Sequence, residues 1–254
     1  MILQKDCFAF CFLSISPVRA EAKDESEIVT QLLFGEPVKV IKLHENWVQI
    51  ASSIDGYMGY MDPKQLRALS KYEFDDWMVN YTYLTEPYAT VKTTHGNHII
   101  SRGSHVGTTN PFKIGTHNFE VLHRDFVQKN KNTWSIANDY LNTPYLWGGK
   151  SIFGIDCSGF TQIVYRLSNI ELPRDASQQQ DFGEHVEFED KKSGDLAFFQ
   201  NVKNKITHVG IIGPDSKIIH ASGHVRIDVL KKTGIVDEEG SITTHFLHSI
   251  KRIK

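Results

Sequence analysis

The chain has 254 residues, of which 40% are hydrophobic and 23% are charged, a composition typical of a soluble globular protein. Its 28 lysines and arginines nearly balance its 30 aspartates and glutamates, so there is neither a basic patch that would favour nucleic acid nor an acidic tail. No apolar run in the sequence is long enough to span a membrane, so no membrane partner is expected.

The first 22 residues permit two interpretations. Residues 7–15 form a short apolar run, and Ala20–Ala22 has the A-x-A form of a secretory cleavage site. Asp6, however, interrupts the basic region that such a signal requires, and a β-type pattern continues through residues 16–41. Three cysteines cannot all pair, which fits a reducing compartment. We therefore expect a cytoplasmic protein; an exported protein, with residues 1–22 removed as a signal peptide, is the alternative.

Residues 1–67 are predicted to form a small barrel of short strands. The turn signals Gly35–Pro37, Glu45–Asn46 and Asp55–Gly56 each precede a segment rich in β-forming residues. The segment resembles a bacterial SH3-like domain, and three stretches carry the resemblance: S-E-I-V-T-Q-L-L-F-G-E, N-W-V-Q-I and D-G-Y-M-G-Y.

Residues 68–125 alternate only weakly and are predicted to form a degenerate second SH3-like barrel or a β-rich linker. His95, His98 and His105 lie close together in this segment. No carboxylate or cysteine accompanies them at the spacing of metal ligands, so exposed loop histidines are favoured over a zinc site. No metal or cofactor is expected.

From about residue 126 the pattern changes to helices followed by strands. One helix is predicted to end near Leu141, and a second to run from Cys157 to Leu167 with its apolar residues on one buried stripe. Cys157 then lies at a helix amino terminus, where backbone amides and the helix dipole favour an anion. A lowered thiol pKa and a reactive thiolate are expected. The alternative is a buried structural cysteine, which behaves as a small hydrophobic residue.

Two histidines are candidates for the base. Residues 195–200 and 207–222 are predicted to form strands, with a turn at Gly213–Asp215. A three-residue loop would place His208 directly opposite His220, whereas a two-residue loop would put them on opposite faces. In the first geometry one imidazole can take the proton of the cysteine while the other orients it, which is the nucleophile, base and orienter arrangement.

Residues 126–254 resemble the NlpC-like branch of the papain-fold cysteine peptidases, which cut peptidoglycan stem peptides between D-glutamate and the diamino acid. The resemblance depends on T-P-Y-L-W-G-G, G-I-D-C-S-G-F, L-P-R-D-A-S-Q-Q, G-D-L-A-F-F, T-H-V-G-I-I-G and I-I-H-A-S-G. It implies that Cys157 is the nucleophile, His208 the base and His220 the orienting residue. It also implies that Tyr145 helps to stabilise the oxyanion, with the Cys157 amide as the other donor.

The expected fold class is α+β: a papain-like (NlpC-type) catalytic domain preceded by one or two small SH3-like β-barrels. This order resembles the γ-D-glutamyl-L-diamino acid endopeptidases that recycle murein peptides and require a free amino terminus on the substrate. The expected partner is therefore L-Ala-γ-D-Glu-diamino acid, bound by a monomer.

The same subfamily implies a set of substrate-binding residues. Residues around the cleft bind the ammonium of L-alanine by charge pairing, and residues of the first barrel close the cleft. Ala176 departs from the pattern, because a serine is common there, and Ser177 is its candidate substitute. The candidates are Asp156, Ser158, Asp175 and Ser177 in the catalytic domain, with Glu36 and Tyr57 in the first barrel.

Two other functions stay open at the level of sequence. A secreted peptidoglycan-cutting D,L-endopeptidase would use the same chemistry and is favoured if residues before Lys23 are removed. A non-catalytic wall-binding module built on SH3-like barrels would not need Cys157, His208 and His220, so their presence argues against it.

Overall fold

The computed structural model describes residues 2–122, 132–236 and 243–253. The chain forms two compact units: Met1–Gln128 with Lys150–Ile152, and Lys129–Gly149 with Phe153–Lys254.

The first strands of the first unit form a seven-stranded sheet in the order β3-β2-β6-β5-β4-β1-β7. They are β1 (Phe8–Cys11), β2 (Ile15–Arg19), β3 (Ile28–Leu33), β4 (Pro37–Leu43), β5 (Val48–Ser52), β6 (Met58–Met61) and β7 (Leu66–Leu69). The strands predicted after the three turn signals are confirmed as β4, β5 and β6. The amino-terminal strand β1 lies between β4 and β7, and its Ala9, Phe10 and Cys11 are fully buried.

The rest of the first unit adds a helix and two smaller sheets. Its elements are α1 (Lys71–Asn80), β8 (Tyr81–Tyr83), β9 (Tyr88–Thr93), β10 (Gly96–Ser101), β11 (His105–Gly107), β12 (Phe112–Ile114) and β13 (His117–Leu122). Trp77 of α1 is buried, and its indole donates a hydrogen bond to the carbonyl oxygen of Gly35 at 2.9 Å. Phe10 and Phe34 belong to the same hydrophobic core as Trp77. Residues 68–122 therefore share a core with the first strands.

The expected domain limits can be placed only in part. The boundary after residue 67 falls within β7, and the boundary at 125/126 lies outside the described residues. The division into domains 1–67, 68–125 and 126–254 stays a prediction.

The three histidines of this segment do not share one environment. His95 is exposed and His98 is half-buried, but His105 is fully buried against the rings of Tyr81 and Tyr83. The prediction of exposed loop histidines is therefore wrong for His98, which is half-buried on β10, and for His105, which is buried on β11. Within residues 2–122, 132–236 and 243–253, no group of three or more His, Cys, Asp or Glu side chains could hold a metal ion.

The later elements of the chain end in a closed barrel. They are α2 (Thr133–Asn138), β14 (Lys150–Ser151, in the first unit), β15 (Gly154–Ile155), α3 (Cys157–Arg166), α4 (Ala176–Gln179), β16 (Glu184–Val186), β17 (Leu196–Gln200), β18 (Ile206–Ile212), β19 (Lys217–Ser222), β20 (His224–Lys231), β21 (Gly234–Val236) and β22 (Thr243–Arg252). The sheet order is β16-β22-β17-β18-β19-β20-β21, and β22 also pairs with β21. Strands β17–β22 therefore close on themselves.

Helix α3 is buried on every side. The predicted helix from Cys157 is confirmed, but the prediction of one buried stripe is wrong, because all ten of its residues are buried. Its polar side chains have partners: Thr161 donates to Gln179 at 2.7 Å, and the Gln162 amide donates to the carbonyl of Leu172 at 2.8 Å. These bonds satisfy polar groups that would otherwise destabilise the fold, and they fix the helix that carries Cys157. In the described part of the chain, no helix is both long and apolar enough to cross a lipid bilayer.

Candidate active site

Asp156 holds the start of α3. Its Oδ1 accepts the backbone N–H of Gly159 at 2.7 Å, which is a helix amino-terminal cap, and its Oδ2 accepts the N–H of Gly148 at 2.9 Å. Gly148 has φ +76°, a left-handed conformation that favours glycine. A Cβ at Gly149 would lie 2.4 Å from the carbonyl oxygen of Gly154, so a side chain does not fit there either. The Gly-rich turn is therefore a steric requirement for placing Cys157 as the first residue of the helix.

Arg174 completes the support of this turn, and sequence reasoning missed it. Its guanidinium binds both oxygens of Asp156, at 3.1 and 2.6 Å, and donates to the Ser158 hydroxyl at 2.9 Å. With the N–H groups of Gly148 and Gly159 and the Ser158 hydroxyl at 3.4 Å, five donors surround the two oxygens of the Asp156 carboxylate. The predicted contact of Asp156 with a substrate ammonium would have to replace one of these bonds. The signal for Arg174 was its place in the L-P-R-D motif.

The thiol of Cys157 is buried and neutral. It is 6% exposed and lies within hydrogen-bond reach of the backbone of Val209, the residue that follows His208. Burial, followed by the charge of Asp156, raises the pKa of Cys157 to about 12. The expectation of a lowered thiol pKa is therefore wrong, because loss of hydration outweighs the hydrogen bonds from the backbone of Val209 and Ser158 and the charge of Arg174.

His208 and His220 meet, although not in the predicted register. Ile212 pairs with Ile218 and Ile211 with Ile219, so five residues rather than three separate the paired ends of β18 and β19. In that register His220 lies opposite Gly210, two residues from His208. An offset of two keeps both side chains on one face of the sheet. His208 Nε2 lies 2.8 Å from His220 Nδ1, so the predicted hydrogen bond forms despite the shift.

Burial favours the uncharged forms of both Cys157 and His208. Burial first, and then the neighbouring His220, His245 and Arg226, hold the pKa of His208 well below its usual value. A neutral imidazole can accept a proton at neutral pH. A neutral His208 therefore fits general-base chemistry, in which the thiol loses its proton as it attacks.

A carboxylate lies behind the histidine pair. His220 Nε2 is 2.9 Å from Asp228 Oδ2, and the same oxygen accepts from Arg226 Nε at 2.9 Å. Arg226 pairs with His220 across β19 and β20, so Asp228, two residues later, faces the same side. Sequence reasoning missed Asp228; the signal was the alternation R-I-D at residues 226–228, on the strand that follows the turn at Gly223.

A third histidine, also missed, packs on the pair. The ring of His245, on β22, lies 4.4 Å from the ring of His208 and 5.6 Å from that of His220. Burial, followed by the proximity of His220, lowers the pKa of His245 to about 4, so it is neutral at pH 7. No motif marks it, because only closure of the barrel brings β22 to this place.

Tyr145 precedes the Gly-rich turn and is half-buried. Its backbone N–H donates to the carbonyl of Gly223 at 3.0 Å. Burial, followed by the proximity of Cys157 and Asp156, raises the pKa of Tyr145 to about 12, so its hydroxyl stays protonated and able to donate. Its role in stabilising an oxyanion stays a prediction.

The other predicted substrate residues are placed individually. Asp175 is half-buried directly before α4, where its N–H donates to Gln178 Oε1 at 3.1 Å, and Ser177 is exposed on α4. In the first unit, Glu36 is 2% exposed and its carboxylate binds Lys150 Nζ at 3.0 Å, while Tyr57 is half-buried. The structure thus joins Asp156 and Ser158 through Arg174; the contacts of all six with substrate stay predictions.

Two family models match separate parts of the chain. The model of the NlpC/P60 family matches residues 142–240, and that of the bacterial dipeptidyl-peptidase Sh3 domain matches residues 18–66. A γ-D-glutamyl-L-lysine dipeptidyl-peptidase of Bacillus subtilis is 31% identical over 223 residues, which cover 78% of this chain and 73% of that protein. A protein of the same name from Bacillus cereus is 29% identical over 246 residues, covering 84% of this chain and 74% of that protein.

Among solved structures, an NlpC/P60 family protein of Bacillus cereus superposes with a TM-score of 0.78 at 22% identity, covering 96% of this chain and 99% of that one. An NlpC/P60 endopeptidase of Photobacterium damselae gives a TM-score of 0.65 at 15% identity and covers 96% of this chain and 66% of that one. At these identities the likeness shows the fold, an NlpC/P60 papain-like domain with an SH3-like β-rich part.

Proposed function

The chain belongs to the NlpC/P60 family and is a cysteine peptidase, and on that premise we propose that it hydrolyses the γ-D-glutamyl–diamino acid bond of murein peptides with a free amino-terminal L-alanine. The observation that carries the proposal is the buried, hydrogen-bonded pair His208–His220. Val209, the residue after His208, contacts the Cys157 thiol through its backbone.

The proposed reaction has two steps. Cys157 Sγ attacks the γ-carbonyl carbon of D-glutamate while His208 takes the thiol proton; the carbon–nitrogen bond then breaks, and His208 gives the proton to the leaving amine. Water then attacks the thioester carbonyl carbon while the same imidazole takes a proton from it; the carbon–sulfur bond breaks, the dipeptide leaves with a free γ-carboxyl group, and His208 returns the proton to Cys157 Sγ. The Cys157 backbone N–H and the Tyr145 hydroxyl are the proposed oxyanion donors.

The proposed substrate class is supported by the names of two relatives and by the share of this chain that they match. Both Bacillus proteins are named γ-D-glutamyl-L-lysine dipeptidyl-peptidases and match more than three quarters of this chain. A dipeptidyl-peptidase releases a dipeptide from an amino terminus, so its substrate presents a free ammonium group. Asp175, with Ser158 and Ser177, is the proposed partner of that group. We also propose that the enzyme acts as a monomer, since Cys157, His208 and His220 all lie in one unit of the chain.

Acetylating the amino group of L-Ala-γ-D-Glu-diaminopimelate is expected to lower kcat/KM. The change removes a charge-assisted hydrogen bond, worth ~1.5–3 kcal/mol or roughly ten- to hundredfold in kcat/KM, before any steric clash is added. Asp175→Asn is expected to narrow the difference in kcat/KM between the free and the acetylated peptide, because it weakens recognition of the free peptide only. Parallel kinetics on the two peptides measure this, and equal hydrolysis by the wild-type enzyme contradicts recognition of a free amine.

We also propose that the enzyme acts in the cytoplasm with residues 2–22 retained. Support comes from β1 and β2, which lie within this segment and contribute Phe10 and Val18 to hydrophobic cores. Removal of the segment would expose the strands that pair with β1 and destabilise the unit by several kcal/mol. Mass determination of the native chain after cell fractionation tests this. A start near Lys23, with activity outside the cell, would instead favour the secreted wall-cutting peptidase.

A further inference from the structure

We infer that Asp228 is the positioning residue that sets the tautomers of His220 and His208, so that His208 presents an unprotonated Nδ1 to Cys157. The inference rests on the proposed catalytic use of Cys157 and His208. It assigns a role to a carboxylate outside the Cys157–His208–His220 set.

The tautomers follow from the order of the hydrogen bonds. Hydrogen bonds from His220 and Arg226, opposed by burial, hold the pKa of Asp228 below its usual value, so its carboxylate only accepts. His220 Nε2, 2.9 Å away, must therefore carry a proton and donate it. A neutral His220 then has no proton on Nδ1, which becomes the acceptor for His208 Nε2 at 2.8 Å. His208 is thereby protonated at Nε2, and its Nδ1 is left as the ring's acceptor.

Burial and a hydrogen bond from Arg226 hold the Asp228 carboxylate in place beside His220. Its side chain is 7% exposed, and Arg226 Nε binds the oxygen that faces His220. His220 is fully buried, so removing the carboxylate would take away the acceptor of its Nε2–H. When His208 accepts the thiol proton at Nδ1, its Nε2–H still donates to His220. The same hydrogen bonds therefore serve both protonation states of the base.

The first test reads the tautomers directly. Long-range ¹H–¹⁵N correlation spectra of the wild-type protein at pH 7 distinguish protonated from unprotonated ring nitrogens. We expect the Nε2–H form for both His208 and His220. A protonated Nδ1 on neutral His208 would overturn the inference. This readout needs no substrate, so it can succeed or fail independently of the proposed function.

The second test separates positioning from folding. Asp228→Ala is expected to lower kcat roughly 10²-fold with KM within about threefold, and to shift His208 toward the Nδ1–H form. Asp228→Asn keeps a carbonyl acceptor for His220 and is expected to keep the wild-type tautomers with a smaller loss of kcat. Asp215→Asn, the same change at an exposed turn residue, is the matched control and is expected to leave kcat unchanged. Wild-type kcat and tautomers in Asp228→Ala would overturn the inference; if that variant does not fold, the wild-type spectrum decides.

Discussion

Cys157→Ala is expected to reduce hydrolysis of L-Ala-γ-D-Glu-diaminopimelate by at least about 10⁴-fold, because the reaction loses its nucleophile. Stability is expected to change by only about 1 kcal/mol, since the substitution removes a single buried sulfur atom and leaves a small cavity. Steady-state kinetics and thermal unfolding, measured on the same preparation, separate the two effects.

Cys7→Ala is the matched control for this substitution. It makes the same chemical change at a half-buried cysteine of the first unit and is expected to keep wild-type kcat. If Cys157→Ala kept more than about one per cent of the activity in a preparation free of wild-type enzyme, Cys157 would not be the nucleophile.

His208→Ala is expected to lower kcat by roughly 10²–10⁴-fold, the usual contribution of a general base. It should also slow the alkylation of Cys157 by iodoacetamide at pH 7. Burial raises the pKa of the thiol to about 12, so at pH 7 the thiolate fraction is very small and alkylation depends on a base that takes the thiol proton. Without His208 only the thiolate reacts, and its fraction rises about tenfold with each pH unit. Alkylation of the variant is therefore expected to accelerate steadily as the pH is raised.

In the wild-type enzyme the acid limb of kcat/KM is expected at lower pH than for an ordinary histidine. The pKa of His208 is depressed by burial, so His208 remains an unprotonated base as the pH falls through 6.5 and becomes inactive only below its own pKa. Equal rates of Cys157 alkylation in the wild type and in His208→Ala would show that another group, such as His245, acts as the base.

The position of Cys157 could be predicted because its determinants are local. The Gly-rich turn, the cap at Asp156 and the apolar residues of α3 all lie within 20 residues of sequence. The register of β18 and β19 could not, because it depends on the intervening turn. There Asp215 and Ser216 both adopt a left-handed φ, +54° and +56°, which neither residue type requires.

The protonation states and the second layer of the site depend on distant parts of the chain. The thiol pKa is set by burial, which only the assembled barrel provides, and it reversed the direction expected from the helix terminus alone. Asp228 and His245 reach the histidine pair because β20 and β22 belong to one closed sheet. Helix α1 was not predicted within residues 68–125. It buries only Trp77, so its sequence has little apolar periodicity.

The most direct measurement is mass analysis of the products formed from free L-Ala-γ-D-Glu-diaminopimelate and from the corresponding L-lysine peptide. The account predicts the dipeptide L-Ala-γ-D-Glu and the free diamino acid from at least one of the two, with no products from the Cys157→Ala variant. The account would be contradicted if both peptides stayed intact or if the L-alanine–D-glutamate bond were cleaved instead. It would also be contradicted if Cys157→Ala gave the same products as the wild type.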